Sequence, residues 1–330
     1  VPEGYRGRGL AVVVVNYGSS TLLRANLVQV QSELPEALFV VVDNATSDDE
    51  RMAVRDLGAE HGWTVLEPVA NLGFGGGMNL GVAAAIGDPR TETLLLLNPD
   101  ASIDAGNTEV LVTAALQSPH SLLGPEIRRP DGRVWSRGHV LDVDTGRMRR
   151  LDNQTLSRTD RPWLTGACLV MSVELWRAVG GFDEEYFLYW EDVDLSHRIL
   201  ALGGAVRFEP RAVAIHDEGG THVAGRVGGD RAKSTTYYYY NIVNRFRYAS
   251  GHLDAAGMRS WSRSAWSASW EILLRGGKRQ FLRSPKPILA GARGFLAGRR
   301  LLKLALARTG PYVESVTADQ SGPSQEVEQQ

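Results

Sequence analysis

The sequence predicts an α/β fold, a mostly parallel sheet flanked by helices, followed by a C-terminal helical basic segment. Three observations carry this. Continuous Val/Leu runs recur at 10–16, 38–43 and 93–98, helical periodicity fills the intervals between them, and a polar residue closes each run. Runs that do not alternate need apolar cover on both faces, which helices packed on either side of a parallel sheet supply.

The elements follow in order. LAVVVVN (10–16) is a buried strand. SSTLLRANLVQVQSEL (19–34) follows as a helix, with Ser at the N-cap and Leu23, Leu27, Val30 and Leu34 on one face. LFVVVD (38–43) and WTVLEP (63–68) are strands, GMNLGVAAAIG (77–87) is a helix, and TLLLLN (93–98) is a further strand. Residues 120–165 read as irregular, with hairpin turns at RPDGRVW and DVDTG. TGACLVMSVELWRAVGGFDEEYF (165–187) gives a strand, a short helix and a glycine turn. EDVDLSHRILALGG (191–204) is a helix with Leu195, Ile199 and Leu202 on one face, ended by its glycine pair. AVRFEP and AVAIHD read as two final strands. The expected organisation is an α/β unit over 1–231, with halves of about 1–125 and 126–231, then a helical segment 232–310 and a disordered tail 311–330.

A chain of 330 residues, 43% hydrophobic and 22% charged, has material for a full core. No apolar run nears the roughly 18–20 residues that cross a bilayer. The Val run near the start is too short for a signal-peptide core, so a cytoplasmic protein is expected. The single cysteine, Cys168, excludes an internal disulfide and reads, within GACLVM, as packed core. The net charge of −2 hides an asymmetry, because residues 255–312 hold 12 Lys and Arg against one acid, Glu271.

Ligands of such sheets collect beyond the carboxyl ends of the strands. Asn16, Asp43 and Asp100 stand there. Pro99 ends its strand because it has no N–H to donate, which delivers Asp100 on a stiff mount. One such end is an ordinary turn; three together favour a site. A carboxylate in that place suits Mg²⁺ or Mn²⁺, hard ions that take one or two carboxylates plus phosphate oxygens. NLGFGGGMNLG (71–81) is neither a Walker loop nor a G-x-G-x-x-G fingerprint. It is a glycine-rich helix entry that lets backbone approach an anion, or simply a flexible turn. In YWEDVDLSHR (189–198), Glu191 and Asp192 sit in a first helical turn, where they either cap the helix or, desolvated by aromatic neighbours, supply a base. Asp194 and Arg198 are spaced to pair along the helix. His216 ends a strand; a zinc pair with His222 lacks further ligands.

Taken together, VVVVNYGS, VVDNATSDD, NLGFGGGMNLG, LLLLNPD, TGACLVM, GGFDEEYFLYWEDVDLSHR and IHDEGGTH closely resemble family-2 inverting glycosyltransferases of the GT-A, Rossmann-like fold. Within that family the resemblance runs toward bacterial rhamnosyltransferases of the mycobacterial type, and it covers about residues 10–222. It implies a nucleotide-sugar donor, dTDP-L-rhamnose, and a polyprenyl-diphosphate-linked N-acetylglucosamine acceptor. It implies donor contacts from Asn16, Tyr17, Asp43, Asn71, Gly73, Gly75, Gly76, Gly77, Asn79 and Asn98. Asp100 and His216 would bind the divalent cation, and Asp192 would be the catalytic base with Glu191 as its partner. Asn98 stands where the family's acidic metal motif usually opens with Asp, which leaves Asp100 as the main carboxylate.

Trp261, Trp266 and Trp270 among the cations of 258–308 suit an anionic membrane surface, so peripheral attachment to the inner face of the plasma membrane is expected. The alternative is a basic helix pair packing on the rest of the chain or on another subunit. TTYYYYNIVNRFRYA (235–249) suits a homodimer face or the acceptor cleft, and no nucleic-acid module accompanies the charge. Other readings are a transferase with a UDP-sugar donor and polysaccharide acceptor, a sugar nucleotidyltransferase, whose basic Gly-rich start VVVVNYGSS lacks, and a non-catalytic nucleotide-sugar-binding protein.

Overall fold

The computed structural model describes residues 4–151, 155–217 and 233–308. His222 and the tail from 311 lie outside them.

Strands β1 (Leu10–Asn16), β2 (Leu38–Asp43), β3 (Thr64–Leu66) and β4 (Thr93–Leu97) pair in parallel, in the order β3-β2-β1-β4. Val12 and Val14 of β1 face one apolar cluster while Ala11, Val13 and Val15 face the other. Helix α1 (Ser20–Leu22) leads into the π-turn Leu23–Leu27, and the first cluster is closed by that turn, α2 (Val28–Glu33), α3 (Asp48–His61) and later α5 (Ala105–Gln117). The second is closed by α4 (Gly73–Ala85), α6 (Val173–Val179) and α7 (Glu191–Ala201). This two-sided cover is why the Val and Leu runs do not alternate. Cys168 is buried in the first cluster and desolvation pushes its thiol up to about 12, as a packed core residue requires.

Beyond β4 the sheet becomes mixed. The short β5 (Ala101–Ser102), β6 (Ser121–Arg128), β11 (Cys168–Ser172) and β12 (Ala205–His216) complete the order β4-β11-β6-β12-β5, and β7 (Val134–Ser136) folds back on β6. The pairs β4/β11, β11/β6, β12/β5 and β6/β7 are antiparallel, while β6/β12 is parallel. A separate sheet, β10-β8-β9, is built from β8 (His139–Asp142), β9 (Arg147–Arg150) and β10 (Asp160–Trp163).

Three expectations change. The stretch 120–165 contains a full strand, β6, because Gly124 and Pro125 sit inside a strand buried on both faces. The two last strands are one, with its register shifted between Glu209 and Val213. Helix α4 begins at Gly73, so the glycine-rich motif is the helix's own first turns.

The C-terminal helices α8 (Thr235–His252), α9 (Ala255–Leu274), α10 (Gln280–Arg283) and α11 (Lys286–Arg308) share one apolar cluster with Leu141, Tyr186, Trp190 and Val193. Helix α8 spends Tyr238, Ile242, Phe246 and Tyr248 on this interior. Trp261 is fully buried there, its indole N–H donating to the Val143 carbonyl at 2.6 Å and the Arg245 guanidinium lying over its ring. It therefore does not join Trp266 and Trp270, which are exposed. Helix α11 seats on α8 where Gly298 lies against the Phe246 ring with no room for a side chain. Among the described residues no helix is long and apolar enough to cross a membrane.

Gly73 has φ +76°, and a Cβ there would collide with the Phe187 carbonyl. Gly73→Ala is expected to lower unfolding free energy by roughly 1–3 kcal/mol, read as a shift in the urea midpoint at unchanged slope.

Candidate functional site

The sheet delivers its polar residues to one edge. Asn16 and Asp43 are register partners at the ends of β1 and β2, and Asn98 follows β4 directly. After Pro99 the chain turns into β5, whose Ala101 pairs with His216 at the end of β12. That pairing, and the Asp217 N–H donating to the Asp100 carbonyl at 3.0 Å, brings Asp100 and His216 together. His216 Nε2 lies 3.1 Å from Asp100 Oδ1, and both side chains are buried. The Trp135 ring covers the imidazole at 4.8 Å between centroids. On the other side Asn26, from the π-turn, donates to the Pro99 carbonyl at 3.0 Å.

The acids of α7 approach the same strand end by a different route. Gly166 N–H donates to Asp192 Oδ2 at 3.1 Å, and Val193 N–H donates to Oδ1 at 2.8 Å. The next residue, Ala167, accepts from the Asn98 N–H at 3.0 Å. A Cβ on Gly166 would touch the Phe74 ring, so Asp192, Phe74 and the end of β4 enclose one region. Desolvation raises the Asp192 carboxyl to about 6 against the pull of those N–H donors. Asp192 keeps a solvent-exposed portion, whereas Glu191 is buried with Oε2 lacking a hydrogen-bond partner among the described residues. Burial first, then the neighbouring Asp192 charge, push Glu191 well above the ordinary carboxylate range. Both carboxyls are therefore raised, Glu191 by the deeper burial and by the charge of its neighbour.

The turn before these acids is strained. Tyr189 and Trp190 have φ of +66° and +75°, a left-handed pair without glycine. Asn244 of α8, 1% exposed, holds it by donating to the Leu188 carbonyl at 3.0 Å and the Tyr189 carbonyl at 2.8 Å. Asp194 pairs with Arg198 as its spacing suggested, at 2.7 Å, and also meets His252 Nε2 at 2.7 Å. Burial alone would raise Asp194, but those two partners hold it below its usual value.

Several expected donor contacts fall behind the surface instead. Asn16 is fully buried, donating to Asp43 and Glu50 and accepting from the Ser19 N–H. Asp43 is also fully buried and is met by Arg51 Nε at 3.3 Å. These two brace the strand ends, while Tyr17 stands exposed in front of them. Gly77 packs on Val15, Gly75 on Phe182 and Gly76 on Leu72, so close packing by itself calls for glycine at these positions. Asn79 is likewise occupied, donating to the Phe182 carbonyl and Glu184 and accepting from the Phe182 N–H. Asn71 caps the motif by accepting from the Gly73 N–H at 2.8 Å. Asn44, which the motif reading passed over, bridges Leu72 N–H and the Gly73 carbonyl.

Asp100 and His216 fit a divalent ion. Two ligands at about 2.1 Å on adjacent corners of an octahedron stand about 3 Å apart, the separation found here. His216 Nδ1 is buried without a hydrogen-bond partner among the described residues, and no group of three or more His, Cys, Asp or Glu side chains that could hold a metal occurs among them.

A sheet with a parallel first half, an acid after its fourth strand and a carboxylate pair opposite fit a glycosyltransferase of the GT-A fold. The model described as "Glycosyltransferase like family 2" matches residues 7–275, and the chain belongs to that family. The N-acetylglucosaminyl-diphospho-decaprenol L-rhamnosyltransferase of Mycobacterium tuberculosis is 30% identical over 244 residues, 66% of this chain and 78% of that protein. The low-salt glycan biosynthesis hexosyltransferase Agl10 of Haloferax volcanii is 25% identical over 248 residues, 72% of this chain and 74% of its own. Among solved structures, GalNAc-T7 with UDP, GalNAc and Mn²⁺ superposes with a TM-score of 0.53 at 18% identity, over 78% of this chain but 54% of that one. The mannosyltransferase PcManGT of Pyrobaculum calidifontis, with GDP-Man and Mn²⁺, gives 0.50 at 16% identity over 93% of this chain and 89% of that one.

Asn244→Ala removes the Asn244 donor from two partly buried carbonyls of the strained turn. It is expected to cost roughly 1–3 kcal/mol of stability, measured by chemical denaturation, and to raise amide exchange at residues 188–192 before global unfolding.

Proposed function

We propose that the protein transfers L-rhamnose from dTDP-L-rhamnose to N-acetylglucosamine on a polyprenyl diphosphate, with inversion and with Mg²⁺ or Mn²⁺ held by Asp100 and His216. The observation that carries this is the Asp100–His216 contact at 3.1 Å, together with the tie of Asp192 through Gly166 and Ala167 to Asn98 at the end of the same strand. The identity to the mycobacterial rhamnosyltransferase supports the choice of sugar and acceptor.

Each residue has a physical task in this reading. A bound cation would neutralise charge on the donor's diphosphate. Tyr17 offers an exposed ring to the nucleotide, with Asn16, Asp43 and Asn71 holding the strand ends and helix entry beneath it. Asp192, ionised and fixed by the N–H groups of Gly166 and Val193, accepts the acceptor hydroxyl's proton on its open side. Glu191 is buried away from solvent while Asp192 keeps an open side, so Asp192 is the base of the pair in this reading. Displacement is direct, and no enzyme nucleophile is required.

The acceptor's lipid end calls for a surface. Exposed Leu289, Leu296 and Leu304 alternate along α11 with exposed Arg293, Arg300 and Lys303, and Trp266, Trp270 and Leu282 extend the patch. A mixed aromatic, apolar and cationic face suits the headgroup region of an anionic membrane, at about 1 kcal/mol per basic residue. This supports peripheral attachment at the cytoplasmic face, where a polyprenyl-linked acceptor would be met.

Asp192→Asn is expected to lower turnover roughly 10²–10⁴-fold with the donor's Kd unchanged, in an assay of dTDP-rhamnose and polyprenyl-diphospho-GlcNAc with Mg²⁺. Near-normal turnover would remove Asp192 as the base. Wild-type kcat should fall on the acid side of about pH 6, as Asp192 is protonated. Its folded pKa is raised, so its stability contribution is present at low pH and lost as pH rises through about 6. Asp192→Asn should therefore be more stable than wild type at pH 8, with the gap closing toward pH 4.

Vesicles separate the membrane reading from plain helix packing. Sedimentation with phosphatidylglycerol vesicles, but not with phosphatidylcholine alone, is expected at low salt, and an Arg293→Gln, Arg300→Gln, Lys303→Gln triple variant should lose most of it. Equal failure to bind both vesicle types would overturn this attachment.

A further inference from the structure

The β6–β7 hairpin carries Arg128, Arg129, Arg133 and Arg137 within ten positions, and it stands beside the site without a role in the steps above. Its placement follows from register. Arg128 pairs with Ile215, the residue before His216, and Trp135 of the same hairpin covers the His216 ring. Strand alternation puts Gly124, Glu126 and Arg128 on one face of β6. That face belongs to α7, because Gly124 lies against Leu164, whose N–H reaches Ser196 of that helix. Gly138, next to Arg137, packs on the same Leu164, two residues before the Gly166 that holds Asp192. Arg128 and Arg137 thus stand on the Asp192 side of the sheet.

Between them lies Glu126, whose side chain is 7% exposed. Its Oε1 accepts from Arg128 Nε at 2.5 Å and its Oε2 from Arg137 Nε at 2.6 Å. Burial would raise this carboxyl, but the two arginines hold it below its usual range. One buried carboxylate against two cations leaves a net positive charge. Each guanidinium spends Nε on Glu126, while its side chain remains 43% or 55% exposed. Two partly exposed guanidiniums braced by one carboxylate, each with its terminal N–H groups not spent on Glu126, form a fork for a dianion. A diphosphate fits it better than a carboxylate, because each phosphoryl group can meet one guanidinium.

We propose that Arg128 and Arg137, braced by Glu126, bind the diphosphate of the acceptor. This rests on the transferase reading above and deepens it. The fork would select acceptors whose sugar is joined to a diphosphate and would hold that group while the hydroxyl lies at Asp192. The donor also carries a diphosphate, so the measurement must tell the two apart.

Steady-state kinetics of Arg128→Gln and Arg137→Gln should be taken with two acceptors, a short-chain polyprenyl-diphospho-GlcNAc and an octyl GlcNAc glycoside without phosphate. Each variant is expected to raise KM for the diphosphate acceptor roughly 10- to 100-fold. KM for dTDP-rhamnose and turnover of the octyl glycoside should stay within twofold. A rise in donor KM would instead assign the fork to the donor, and equal losses with both acceptors would make the arginines merely structural; either overturns the proposal. Arg137→Lys, which keeps charge but not the fork, guards against misfolding and should fall between wild type and Arg137→Gln. A binding arm stands apart from turnover. Calorimetric titration of inorganic pyrophosphate, in EDTA so that no divalent ion contributes, should show binding to wild type and its loss in the double Gln variant. Absence of binding to wild type would defeat the fork, whereas failure of wild type to use any nucleotide sugar, with pyrophosphate binding intact, would defeat the transferase reading alone.

Discussion

Strands with no wet face govern this molecule. Because β1, β2 and β4 are covered by helices on both sides, a polar side chain within them would lose water and gain nothing. Polar groups are left with the strand ends, and each candidate site residue on the sheet stands at one such end, with Asp192 tied to one. Asn16 and Asp43 finish their strands, Asp100 follows Asn98 and Pro99, and His216 is the last residue of β12. The short β5 then fixes which ends meet, since its pairing with β12 is what puts an acid and an imidazole within 3.1 Å.

The sequence made much of this visible, and for a physical reason. Apolar runs and strand-end residues are local signals, so the parallel half, the Asp100 position and helix α7 can be read without tertiary information. Long-range satisfaction cannot. Nothing local shows that Asn244 is needed 55 residues away at the Tyr189 carbonyl, or that Asn26 supports Pro99 across 73 residues. β6 was hidden because Gly124-Pro125-Glu126 carries turn and charge signals, while the strand's pairing with β11 and β12 overrides them. The glycine-rich motif is ambiguous in another way. Its residues suit a ligand-cradling loop and a tightly packed helix equally well, and only the neighbours Val15, Phe182 and Phe187 tell them apart.

The two acids of α7 show how a pair of like groups is made unequal. Asp192 receives backbone N–H donors and keeps some solvent, whereas Glu191 is buried beside that charge with an oxygen unmatched among the described residues. The difference lies in surroundings, not residue type, which is why the sequence left the two interchangeable. Holding them so costs backbone strain at Tyr189 and Trp190. That strain is opposed from outside the sheet by α8, so the C-terminal helices belong to the working part of the enzyme.

Where Gly298 lets α11 rest directly against Phe246, two helix axes are fixed at close range. Asn244 lies one turn earlier on α8 than the residues that follow Phe246, and it grips the backbone leading to the acids. The outward side of α11 is thereby joined to the acids through stacked helices rather than a slack tether. A surface engaged by that side would meet the acids through this fixed packing, so their spacing from it is set by the scaffold.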